Sequence, residues 1–171
     1  MNPEIYVTAD THFFHANIIK HCNRPFKNVW EMNEVMIDNW NRTIPVKNSW
    51  VYILGDYVWR NKMKVIEVSK RLNGQKFLVR GNHDFRSVKG EAQKCFQWIK
   101  DLYELKLAKT SIIMCHYPMR SWPRSHHGSY HFYGHTHKLD SIPERRTFNV
   151  GVDLWDYRPL HIEELVDNNL L

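Results

Sequence analysis

Five short apolar runs constrain this chain more than any other feature. They are "EIYVTAD", "SWVYILGD", "QKFLVRGNHD", "SIIMCHYP" and "SYHFYGHTH", and each passes directly into Asp, His or Asn. Their length and β-branched or aromatic content read as buried strands. A chain that only had to turn would use Asn-Gly or Asp-Gly and continue. This one delivers Asp10-Thr11-His12, Gly55-Asp56, Gly81-Asn82-His83-Asp84, His116 and Gly134-His135-Thr136-His137.

Between the first runs lie segments of helical period. "NVWEMNEVMIDNWNRTI" repeats apolar residues at Met32, Val35, Met36 and Trp40, and Pro45 stops it; "KMKVIEVSKRLNG" offers Val65, Ile66, Val68 and Leu72 and ends on Asn73-Gly74. "EAQKCFQWI" and "HIEELV" read as further short helices, and His15 opens another. Strand alternating with helix implies βαβ units and parallel pairing. The second half has more adjacent strands, so the complete sheets are expected to be mixed. The 171 residues fit one domain, 1–171, and Met119–Gly128, "MRSWPRSHHG", reads as a basic loop.

Composition narrows the setting. Lys and Arg outnumber Asp and Glu by 24 to 18, a formal charge of +6, which suits an anionic partner. Cys22, Cys95 and Cys115 are odd in number and lack C-x-x-C spacing, against a disulfide framework or a thiolate zinc site. No apolar run approaches ~18 residues, so the expectation is a cytoplasmic protein that does not use a membrane.

The strand ends offer oxygen and imidazole nitrogen. That donor set suits manganese, iron, zinc, cobalt or nickel. In open α/β sheets, sites assemble at the carboxyl ends of the strands. Seven candidate ligands exceed one four-coordinate ion. They suit two ions ~3.5–4 Å apart sharing a carboxylate, the arrangement used for phosphoryl chemistry.

The series Asp10-x-His12, Gly55-Asp56, Gly81-Asn82-His83-Asp84, His116 and Gly134-His135-x-His137 resembles the calcineurin-like metallophosphoesterase superfamily, in its motif order and over residues 10–137. "DTHFFHANII", "HYPMRSW" and "FNVGVDLWDYRPLHIEEL" further resemble its small single-domain bacterial and phage members. "GDYVWRN" departs from the G-D-x-x-D-R-G of the protein Ser/Thr phosphatase branch and points away from it. The resemblance implies an α/β fold, a two-sheet mixed β-sandwich flanked by helices. It implies that Asp10, His12 and His137 bind one ion, that Asn82, His116 and His135 bind the second, and that Asp56 bridges. His83 would face the substrate and protonate the leaving oxygen, with Asp84 orienting it from behind.

The expected activity is hydrolysis of a phosphate ester, foremost a phosphodiester, by a metal-activated hydroxide. Two divalent transition ions would be the cofactors, manganese foremost. A nuclease on DNA or RNA ends is the alternative, and a catalytically silent binding scaffold is the reading from another class. A nucleotide or nucleic acid is the candidate partner. His15 and Arg120 are candidate substrate contacts, and Asn149, Gly151 and Asp153 candidate supports.

Overall fold

The computed structural model describes residues 3–44, 49–138 and 146–166; Pro45, expected to stop the long helix, lies outside them. A five-stranded sheet has the order β4-β3-β2-β1-β9, with β1 (Ile5–Thr8), β2 (Trp50–Ile53), β3 (Gln75–Val79), β4 (Ile99–Lys100) and β9 (Leu160–His161). β1 to β4 are parallel, and β9 runs antiparallel to β1. A second sheet has the order β5-β6-β7-β8, with β5 (Leu102–Lys106), β6 (Ser111–Cys115), β7 (Tyr130–Tyr133) and β8 (Thr147–Asn149). There β5 is antiparallel to β6, and β6, β7 and β8 are parallel. The expected two-sheet mixed α/β architecture is thus the observed one.

Strand alternation builds two cores. Val51 and Ile53 face the helices, where Met32, Met36, Trp40, Val65 and Val68 cover them. Tyr52 and Leu54 face the other way and pack with Val7, Phe77, Ile112, Met114 and Phe132 between the sheets. Each such side chain contributes about 1.5–3 kcal/mol when fully buried. The helices are α1 (Ala16–His21), α2 (Val29–Thr43), α3 (Lys62–Arg71) and α4 (Asp84–Ser87). Asn28 caps α2 by accepting from the Trp30 and Glu31 N–H groups, and Asn61 caps α3 by accepting from Met63 and Lys64.

Two expected helices are tighter: Gly90–Cys95 and Ile162–Glu164 are single 3₁₀ stretches. The basic loop crosses the outer face of the second sheet. Trp122 stacks on His131 at 5.5 Å, and the Met119 N–H donates to His131 Nε2. His131 is buried, and its Nδ1–H donates to the Ile113 carbonyl.

Candidate metal centre

Past the strands, the chain turns left-handed repeatedly. Asp10, His12, Asp56, His135 and His137 have φ between 48° and 72°. A left-handed residue with a Cβ costs roughly 1–2 kcal/mol, and Asp and His are among the types that tolerate it. Backbone bonds hold the excursions: Asp10 N–H donates to Gly55 O at 3.0 Å and His12 N–H to Asp56 O at 2.9 Å. Gly134 is required by close approach, since a Cβ there would lie 2.5 Å from Asp10 Oδ2.

Two groups of ligand atoms result, Asp10–His12–His137 and Asp56–His116–His135, each with its atoms within 4.8 Å of one another. Asp56 Oδ2 is faced by His12 Nε2 and His116 Nε2, both at 3.5 Å, and by His83 Nε2 at 3.8 Å. Asn82 joins the second group through its Oδ1, 3.1 Å from His116 Nε2.

The buried polar atoms fit a cation. Asp10 Oδ1 and His12 Nε2 are buried without a hydrogen bond. His116 Nδ1–H donates to Leu54 O at 2.8 Å, which leaves Nε2 a lone pair. That lone pair converges with a second acceptor, Asn82 Oδ1, an arrangement a positive ion reconciles. Burial raises Asp10 to about 8, although nearby His137 and the His135 N–H act to lower it. Burial also lowers His12 and His116, keeping both imidazoles neutral, with a ring nitrogen lone pair each for an ion.

His137 is oriented from behind. Its Nδ1–H donates to Asp153 Oδ2 at 2.8 Å, and Asp153 is held by Arg24 through Nε at 2.8 Å and Nη2 at 2.9 Å. Arg24 also donates to the Asp10 and Thr11 carbonyls. Burial alone would lower His137, but the bond to Asp153 and the surrounding carboxylates raise it to about 10. Arg24 has no signal in the sequence; only the fold brings it to Asp153. Cys22 Sγ lies within 4.8 Å of the His137 and Asp153 ligand atoms, and its hydrogen bond to His137 helps to raise that imidazole. Asn149 supports the same loop, donating to Thr136 Oγ1 and Lys138 O while accepting from Gly151 N–H.

Three expected residues sit elsewhere. Asp84 does not stand behind the His83 ring. Its carboxylate accepts from the Asp56, Tyr57 and Gly81 N–H groups at 2.9, 3.0 and 2.8 Å, pinning the loops after β2 and β3 together. Burial raises Asp84 to about 7 against the lowering effect of those bonds. His83 is held by its own N–H, which donates to Asp56 Oδ1, and by the Trp59 ring at 4.8 Å.

His15 is buried, stacks on Trp59 at 3.6 Å and 2°, and meets His12 Nδ1 at 3.4 Å. It backs His12, and burial lowers it to about 4. Arg120 lines a separate cavity with Trp122, His126 and Arg146.

A family model described as calcineurin-like phosphoesterase matches residues 3–95, more than half of the chain. The chain belongs to the calcineurin-like phosphoesterase family. This phosphoesterase is 36% identical over 175 residues to the uncharacterized protein MJ1445 of Methanocaldococcus jannaschii, across 95% of the chain and 89% of that protein. Its fold is similar to that of a protein of unknown function, AQ665, from Aquifex aeolicus, with a TM-score of 0.74, 24% identity and coverage of 95% and 97%. It is also similar to that of the nuclease MPE of Pseudomonas putida, with a TM-score of 0.50, 20% identity and coverage of 78% of this chain and 61% of that one. Among its described residues no helix is long and apolar enough to cross a membrane.

Proposed function

We propose that this phosphoesterase hydrolyses phosphodiesters with two divalent transition ions. Asp10, His12 and His137 would hold one, Asn82, His116 and His135 the other, and Asp56 would lie between. The observation that carries the reading is the position of Asp56 Oδ2, 3.5 Å from an imidazole nitrogen of each group. When bound, such ions neutralise phosphoryl oxygens and lower the pKa of water toward ~7. The all-nitrogen-and-oxygen donor set admits manganese, our first candidate, as well as iron, zinc, nickel or cobalt.

His83 belongs to neither group of ligand atoms. Its ring is one-third exposed, so it can hand a proton to the leaving oxygen. Proton transfer of this kind contributes typically 10²–10⁴-fold. Asp84 serves the reaction by fixing the Asp56 loop. A formal charge of +6 favours a polyanion, and the Pseudomonas putida protein of similar fold is named a nuclease; both support nucleic acid as the diester.

The test is hydrolysis of bis-p-nitrophenyl phosphate and p-nitrophenyl phosphate with added Mn²⁺, before and after chelation, beside elemental analysis. Two ions per chain, diester turnover above monoester turnover and loss on chelation are expected. One ion per chain, or turnover indifferent to chelator, would remove the proposal.

A further inference from the structure

The cavity that takes up Arg120 lies apart from the metal centre. It measures about 510 Å³ and is walled by Arg120, Ser121, Ser125, His126 and Arg146, with Trp122 at its base. Ser129 and Arg146 stand just before β7 and β8, whereas His135 and Asn149 lie at the other ends of those strands. His135 lies six positions beyond Ser129. At ~3.3 Å per extended residue the Ser129 end of the cavity lies up to about 20 Å from His135, and its Arg120 wall, four positions past His116, at most about 14 Å from that candidate ligand. The loop that forms it starts at His116 itself, and Tyr117, its next residue, is 45% exposed with its ring 4.8 Å from that of His135.

The cavity is built, and it is positive. No carboxylate lines it among the described residues. Arg146 donates to the Gly128 carbonyl and lies over the Tyr130 ring, so its guanidinium is held in place. Gly128 has φ +85°, a conformation strained for any residue with a Cβ, and a Cβ there would also push the Arg146 guanidinium aside. The buried Trp122 indole donates to Ser129 and fixes the floor. By contrast, Arg124 on the same loop points to Glu104 at 4.0 Å. The anchored Arg146, together with the exposed Arg120 and the Ser121 and Ser125 hydroxyls, suits a phosphate group.

We propose that this cavity is a second phosphate subsite, and that the substrate is a single-stranded nucleic acid long enough to span from the metal centre to it. The inference rests on the phosphodiester reading. A strand would leave the metals past the exposed Tyr117 ring, follow the loop and seat a later phosphate between Arg120 and Arg146. A dinucleotide would reach only the metals.

The experiment compares the protein with the Arg120→Ala/Arg146→Ala pair, and with Arg124→Ala as a surface arginine outside the cavity. Binding of labelled DNA and RNA strands of about ten nucleotides, a usual single-strand span, is read by anisotropy in chelator, without turnover. The slope of log Kd against log salt should fall by about 0.7 in the pair, the value for one lost phosphate contact on a single strand, and stay within half of that in Arg124→Ala. With Mn²⁺, kcat/KM for the long strand should fall at least tenfold more than for bis-p-nitrophenyl phosphate. The DNA and RNA arms decide which sugar the site takes. Equal salt slopes in all three proteins, or equal kcat/KM for dinucleotide and long strand, would overturn the subsite. Absence of any diester turnover with the slope change intact would instead remove the phosphodiester reading and keep the cavity as a binding site.

Discussion

His137 Nδ1 stands 2.8 Å from Asp153 Oδ2, and the same carboxylate is gripped by Arg24 at 2.8 and 2.9 Å. This chain of three fixes the tautomer of His137 and aims its Nε2 inward. Such partners typically carry 10–100-fold in metal affinity. Asp153→Asn should weaken the first ion by about tenfold or more. Competition with a fluorescent chelator measures it, and an unchanged affinity would show that His137 needs no partner. Arg24, left buried without its counter-charge, should also lower the melting temperature.

His83 is separable from the candidate ligands by chemistry. His83→Asn should retain both ions by elemental analysis yet lose turnover in proportion to the basicity of the leaving group. Esters of p-nitrophenol, whose leaving group barely needs a proton, should lose less than alkyl esters. Equal losses on both, or released metal, would make His83 a ligand or a phosphate contact.

The three backbone N–H groups on Asp84 make it a structural clasp. Asp84→Asn replaces one acceptor oxygen with a donor aimed at N–H groups. Bonds to a charged acceptor contribute about 1.5–3 kcal/mol each, so denaturant unfolding should show a loss of roughly 3 kcal/mol. A variant of native stability would return Asp84 to a role behind His83.

Lys76 gives a prediction in pH. It is buried, its Nζ–H groups donate to the Leu72 and Gly74 carbonyls, and burial lowers it from 10.5 to about 8. Between pH 8 and 10.5 the unfolded chain therefore binds more protons at this residue than the folded one, and its contribution to stability rises with pH. The penalty is complete below pH 8 and relieved toward 10.5. Lys76→Met should flatten that rise in melting temperature across this window; an identical pH profile would contradict the assignment.

The candidate ligand positions were legible in the sequence because strand ends and residue chemistry are both local signals. Asp10, Asp56 and His116 could be named from the runs that precede them. What was not legible depends on distance along the chain. Arg24 meets Asp153 across 129 residues, and Asp84 bonds backbone rather than a side chain, which no motif records. Strands β4 and β9, at two residues each, are too short to show a period of two. Gly90, at φ +55°, opens the stretch expected as a helix, where tight 3₁₀ turns replace it.

The left-handed turns restrict how this centre could be rebuilt for another metal. At Asp10, His12, Asp56, His135 and His137 an exchanged residue must satisfy both ligand chemistry and backbone handedness, so most alternatives fail twice. Asn82 and His116 carry no such backbone demand. Altered metal selectivity, whether drifted in nature or selected in a library, should therefore enter through the second group first, with Asn82→Asp or His116→Asp as the nearest steps.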